Sequence, residues 1–164
     1  MRLADHFDSA ARSHPSRLAF VDGDTRVDFA QAQACVHAVA NALAAEPGLC
    51  PGAHLAIYSP NDYRICLLQI AANFAGMAWI AVHTRNTVDT NIAVLEYGDC
   101  DLVFFHSSYE EAIAQLKARL PGVGRFICID RASEHGEHLE EWIDGHRRAF
   151  DAPPRSKCTA VHAR

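Results

Sequence analysis

The sequence predicts an α/β layered half-domain: a parallel sheet covered by helices, preceded by an N-terminal helix and a hairpin. Three observations carry this reading. Short apolar runs alternate with helix-length segments between residues 54 and 129, the pattern that builds parallel strands joined by right-handed crossovers. Residues 63–86, YRICLLQIAANFAGMAWIAVHTRN, hand an apolar helix over to an apolar strand through Gly76. Ahead of both, Asp22-Gly23-Asp24 separates two apolar runs, which is a hairpin signal.

Taken in order, Leu3, Phe7 and Ala11 repeat at helical spacing, so residues 3–13 form an amphipathic helix on a surface, ending before Pro15. Residues 18–21 and 26–29 make the hairpin. Asp28 then caps a helix whose apolar face (Cys35, Val36, Val39, Ala40, Leu43) covers a sheet, and Glu46-Pro47-Gly48 ends it. A strand is expected at 54–59. In residues 63–74 only Arg64, Gln69 and Asn73 are polar, which predicts a helix buried on nearly every side. Gly76 is placed for a left-handed cap. Residues 77–82 are too apolar to alternate, so a strand there, centred on 79–82, is expected to be covered on both faces.

A helix follows at 89–97 and a strand at 102–105. Ser108-Tyr109-Glu110-Glu111 reads as a capping box opening a helix that runs to Leu120, Pro121-Gly122 stops it, and residues 126–129 supply another strand. Leu139, Trp142 and Ile143 suggest one more short helix. Residues 151–164, DAPPRSKCTAVHAR, have no periodicity and are expected to be unfolded, which divides the chain into a structured part, 1–150, and a tail, 151–164.

Composition narrows the function classes. A chain of 164 residues, 49% hydrophobic, is long enough for one domain with its own core. The net charge of -5, from 15 basic and 20 acidic residues spread along the chain, leaves no basic stripe for nucleic acid. No apolar run has the length of a bilayer span, and acidic residues stand where a signal peptide would be apolar, so a cytoplasmic location is expected. The six cysteines (Cys35, Cys50, Cys66, Cys100, Cys128, Cys158) form no CxxC pair and read as buried or incidental thiols. His135 and His138, in EHGEH, lack further ligands at matching spacing and read as a solvated loop, so no metal ligand is assigned.

Phosphate binding in a parallel sheet needs clustered glycines before a helix, and no such turn, GxSxG elbow or zinc-protease helix is present. Two loops remain as candidates. Asn61 or Asp62 either caps the following helix or touches a ligand. His83, Arg85 and Asn86 follow the carboxyl end of a strand, where open α/β sheets bind ligands, and are otherwise loop and cap residues. No catalytic residue and no cofactor-binding residue is assigned.

The order of parts resembles the N-terminal portion of the AMP-forming acyl-CoA synthetases, members of the adenylate-forming superfamily. The resemblance covers about residues 3–143. It rests on LAFVDGDTRVDF with its Val27-Asp28-Phe29 exit, GAHLAIYSPND with Asn61, AANFAGMAWIAVHTRNT and VLEYGDCDLVFFHSS. Where the family commonly has a proline before the last apolar residue of FAGMAWIAV, Ala81 stands here. The resemblance implies an enzyme that joins a carboxylate, fatty or aryl, to ATP as an acyl-adenylate and then transfers the acyl group to coenzyme A, with Mg²⁺ meeting the phosphate charge.

It also implies that the Ser/Thr/Gly-rich phosphate loop ending in Pro-Lys-Gly, the ribose-binding aspartate and the catalytic lysine belong to sequence beyond residue 143. The chain is therefore expected to be a fragment, catalytically inactive alone and binding none of ATP, Mg²⁺ or coenzyme A by itself. It is also expected to self-associate through apolar surface that the complete enzyme would cover. The out-of-pattern tail suggests a change of reading frame near Pro154. The alternative is a stand-alone α/β binding or interaction module without catalysis. A weaker reading is a small enzyme using the loop from His83 to Asn86.

Overall fold

The computed structural model describes residues 3–150, so the expectations for 151–164 lie outside the described residues. Helix α1 (Leu3–Ser13) leads into the antiparallel hairpin β1 (Leu18–Asp22) and β2 (Thr25–Asp28). Asp28 then starts α2 (Phe29–Ala45) with a complete capping box. Its carboxylate accepts the Gln31 N–H at 2.8 Å, and the Gln31 side-chain oxygen accepts the Asp28 N–H at 3.1 Å. After the turn at 46–53 the alternation expected from the sequence runs in full: β3 (His54–Tyr58), α3 (Tyr63–Phe74), β4 (Ala78–Ile80), α4 (Val88–Tyr97), β5 (Leu102–Phe105), α5 (Glu110–Arg119) and β6 (Arg125–Cys128). A two-residue strand β7 (Glu137–His138) and α6 (Leu139–Phe150) close the described chain.

All pairings in the main sheet are parallel, in the order β4-β3-β5-β6-β7. Alternate residues of the three inner strands feed two different cores. Leu55, Ile57, Leu102, Phe104, Ile127 and Ile129 pack toward α1, α2, α3 and α6. Ala56, Tyr58, Val103, Phe105, Phe126 and Cys128 pack toward α4 and α5. The result is three layers. Strands apolar on both faces are what such burial requires, and each fully buried large side chain contributes roughly 1.5–3 kcal/mol on leaving water.

Four expectations are corrected in detail. The helix α3 is buried on one face only: Leu67, Leu68, Ala71 and Ala72 are enclosed by the layer of α1 and α2, whereas Cys66 is exposed and Tyr63, Ile65, Ile70 and Phe74 are half-buried. An apolar helix reports how much surface it can bury, not how much this chain supplies to bury it. The strand expected at 79–82 is β4, three residues at the sheet's edge with Ala78 exposed, because pairing to β3 engages only Ala78, Trp79 and Ile80.

The capping box at Ser108 does not form. Residues Ser107–Tyr109 make a 3₁₀ turn capped by the His106 side chain, and α5 begins at Glu110 with no side-chain cap at Tyr109. The EHGEH segment is not wholly a solvated loop, since Glu137 and His138 pair with Ile127 and Cys128. Gly76 adopts φ 72°, the left-handed conformation its position called for. No described helix is long and apolar enough to cross a membrane.

Candidate functional site at the carboxyl edge of the sheet

From β3 the chain moves outward one way to β4 and then, through α4, returns to β5 on the other side of β3. This reversal is a topological switch point, and the crevice outside the carboxyl ends of the strands flanking it is where open α/β sheets accept ligands. Two loops border it: residues 59–62 after β3 and residues 106–109 after β5. The loop after β6 begins at Ile129-Asp130 beside the second.

Asp130 organises this edge. Its carboxylate accepts the Ser107 N–H at 2.8 Å and the Ser107 hydroxyl at 2.6 Å, with the Cys128 thiol at 3.4 Å. His106 Nε2 stands 3.5 Å away. Burial alone would push the Asp130 carboxyl up, but the two bonds from Ser107, the thiol and the neighbouring imidazole outweigh it and hold the carboxyl below its ordinary range. His106 Nδ1 accepts the Ser108 N–H at 3.1 Å and lies 2.9 Å from the Ser108 hydroxyl. In neutral His106 the proton therefore sits on Nε2, facing Asp130. Behind this turn the Tyr58 and Tyr109 rings meet edge to face, centroids 5.2 Å apart.

The loop after β3 is equally occupied. Asp62, not Asn61, caps α3, accepting the Arg64 N–H at 2.8 Å and Arg64 Nε at 2.9 Å. Arg64 Nη1 reaches across to donate to the Ile129 carbonyl at 2.8 Å, so this arginine ties the β3 loop to the end of β6. The hairpin also touches this corner, where the Tyr63 N–H donates to the Asp22 carboxylate at 3.2 Å.

The second candidate loop, residues 83–86, lies at the same edge beyond β4 and is built as a turn. His83 Nδ1 accepts the Arg85 N–H at 3.1 Å, and the His83 carbonyl accepts the Asn86 N–H at 3.1 Å. Fully buried Asn91 donates to that carbonyl at 3.0 Å and accepts from the Asn86 amide at 3.1 Å. His83 and Asn86 thus serve the turn, while the Arg85 side chain is exposed. His135 and His138 sit far along the chain around β7, with the His135 carbonyl accepting from Lys117 at 3.2 Å.

Sequence reasoning named Asn61, Asp62, His83, Arg85 and Asn86, and passed over His106, Ser107 and Asp130. The signal for the latter was available, since FHSS and CID each follow a strand's carboxyl end. What the sequence does not show is that β5 and β6 are neighbours, which brings Ser107 onto Asp130.

These groups are spent on one another. Among the described residues no buried side-chain nitrogen or oxygen lacks a hydrogen-bond partner, and no three His, Cys, Asp or Glu side chains converge to hold a metal. A nucleotide with its Mg²⁺ needs backbone donors in a glycine-rich turn and free carboxylates. The described loops supply neither, so they do not fit that group and no chemical step is assigned to them.

The sequence matches the model of the AMP-binding enzyme family over residues 7–160. Two curated relatives are both named 3-[(3aS,4S,7aS)-7a-methyl-1,5-dioxo-octahydro-1H-inden-4-yl]propanoyl:CoA ligase. That of Rhodococcus jostii is 33% identical over 87 residues, covering 53% of this chain and 17% of the relative. That of Mycobacterium tuberculosis is 25% identical over 148 residues, covering 88% of this chain and 29% of the relative. Among solved structures, a Rhodopseudomonas palustris protein assigned as a long-chain-fatty-acid CoA ligase superposes with a TM-score of 0.80 at 25% identity, over 87% of this chain and 36% of that one. The chain thus spans about a third or less of the length of each of these proteins. With the three-layer parallel sheet, the switch point and this match over nearly its whole length, the chain belongs to the AMP-binding enzyme family.

Proposed function

We propose that residues 1–150 are the first part of the catalytic domain of an ATP-dependent acid–CoA ligase, forming structure around which the catalytic segments assemble rather than supplying catalytic groups. The observation that carries this reading is the superposition on a CoA ligase, which leaves about two thirds of that protein's chain unmatched. The complete enzyme would activate a fatty or aryl acid as its adenylate, releasing pyrophosphate, and pass the acyl group to coenzyme A in the cytoplasm. The acid is proposed at that level of class because the polar groups at the switch point, Arg64 with the Ile129 carbonyl and Ser107 with Asp130, are engaged with one another and single out no particular acid.

Alone, the chain is proposed to be inactive. The test is carboxylate-dependent exchange of labelled pyrophosphate into ATP by the purified 164-residue chain, with a panel of fatty and aryl acids. No exchange above a boiled control is expected. Exchange that a Mg²⁺ chelator abolishes would overturn the proposal, and tight binding of an acyl chain or coenzyme A without turnover would favour the binding module instead. Self-association is also expected. The half-buried face of α3 lies beside the hairpin, where Leu18 and Val21 are exposed, and contiguous apolar surface of this kind draws partners. A single monomeric species by analytical ultracentrifugation across micromolar concentrations would contradict that.

A further inference from the structure

β4 is the outermost strand of the sheet, pairing with β3 on one side and with no described strand on the other. Every described peptide is trans, so each N–H points away from the carbonyl of the residue before it. The Ala78 N–H donates inward, to the Ala53 carbonyl at 2.8 Å, and Ile80, paired with Ala56 two residues on, repeats that orientation. The Met77 carbonyl, both backbone groups of Trp79 and the Ala81 N–H are therefore turned outward. Among the described residues none of these groups meets a backbone partner, and Ala78 and Ala81 are exposed.

An open edge strand is a template for pairing with another chain, and proteins block such edges with charge, proline or a bulge. Residues 76–82, GMAWIAV, contain no charge and no proline, and the register of β4 on β3 runs without a shift. Apolar surface flanks the edge on both faces of the sheet. On one face half-buried Trp79 packs against the core that α3, with its half-buried Phe74, also covers. On the other, Gly98 lies against Ile80, and the neighbouring Tyr97 is 95% exposed. The row of open groups is its own complement. With two copies antiparallel about a two-fold axis at Trp79, each Trp79 N–H meets the other copy's Trp79 carbonyl, and each Ala81 N–H meets the other copy's Met77 carbonyl. Because the edge is neutral, this contact brings no like charges together, although the chain as a whole carries -5.

We propose that β4 is a dimerisation edge: a second copy of this chain adds its own β4 antiparallel, joining the two sheets into one. A second copy satisfies every outward group at once and buries no charge on the edge. The contact gives self-association a defined surface distinct from the hairpin, and it does not rest on the ligase reading.

The test is sedimentation equilibrium of the full 164-residue chain across micromolar concentrations, with amide-resolved hydrogen exchange at both ends of that range. A monomer–dimer equilibrium that stops at two copies is expected. The Trp79 and Ala81 amides should gain protection as the dimer fills, while Ile80, already bonded inward, stays unchanged. Ala81→Pro removes an outward N–H from each copy and should weaken the dimer roughly tenfold or more. Leu18→Lys, on the exposed hairpin, should leave the dimer constant as it is. A monomer throughout, open-ended association, an unchanged constant in Ala81→Pro, or a dimer weakened equally by Leu18→Lys would overturn the proposal. Should Ala81→Pro fail to fold, the wild-type amides decide: protection that rises with concentration at Trp79 and Ala81 supports the edge pairing, and protection independent of concentration refutes it.

Discussion

Replacing Gly136 by alanine tests whether the edge of the sheet is packed as described. Gly136 has no left-handed backbone to explain it, so its requirement is steric. An added Cβ would lie 2.5 Å from the Phe126 carbonyl oxygen and 2.8 Å from its carbon, both backbone, and 2.7 Å from Cε1 of Phe105, which is wholly buried in a central strand. Ordinary contacts begin near 3.4 Å. Relief therefore demands a shift approaching an ångström between β6 and the segment entering β7, which would strain the pairings of Glu137 with Ile127 and His138 with Cys128. Overpacking of that kind costs typically 1–3 kcal/mol, and a clash with backbone belongs at the upper end, about 2–3 kcal/mol.

Two other glycines calibrate the scale. At Gly98 the Cβ would meet Ile80 Cδ1 at 2.7 Å, the far end of a flexible side chain, and the Val94 carbonyl oxygen at 3.2 Å, so Gly98→Ala should cost about 1 kcal/mol, the lower end of the range for overpacking. At Gly122 nothing lies within 4 Å, and Gly122→Ala should fall within about 0.5 kcal/mol of wild type. Equilibrium urea unfolding followed by circular dichroism, at concentrations below self-association, gives all three. A Gly136→Ala variant as stable as wild type, or one less costly than Gly98→Ala, would refute the packing of β7 against β6.

Asn91→Leu should destabilise by about 1–3 kcal/mol by removing the bonds of a fully buried amide to the His83 carbonyl and from the Asn86 side-chain amide. Trypsin should then cut after Arg85 much faster than in wild type, and an unchanged cleavage rate would show that Asn91 does not hold the turn. The Asp130 carboxyl, held below 3.8, contributes stability at pH above that value and loses it as pH falls through its own lower one. Ser107→Ala should raise that carboxyl in a ¹³C titration and narrow its stability gap to wild type as the solution is acidified. Identical titration curves would remove Ser107 as the cause.

The sheet and its helices were legible because each inner strand is apolar on both faces and α2, α3 and α4 open on Asp or Thr caps and end near Pro or Gly, chemistry that acts within a few residues. The edges were not. That β4 pairs for only three residues, and that α3 is covered on one side, depends on what lies alongside, which no local pattern encodes. The site was half legible for the same reason. Asp62 and the turn at His83 are local, whereas the bonds from Ser107 to Asp130 and from Arg64 to the Ile129 carbonyl need β5, β6 and α3 to be neighbours. Competition misled the reading of Ser108. A nearby imidazole took its N–H, leaving no capping box, and the sequence offered no measure of that preference.

The central proposal is that this chain would form the opening part of a carboxylate-activating ligase whose phosphate-binding apparatus would be encoded further on. Sequencing the DNA downstream of the codon for Pro154, and translating it in all three frames, tests that claim most directly. The account predicts an apolar strand followed by a loop rich in Ser, Thr and Gly ending in Pro-Lys-Gly within a few dozen codons. Absence of such a loop from every frame over the next several hundred codons would contradict it and leave a stand-alone module of the same fold.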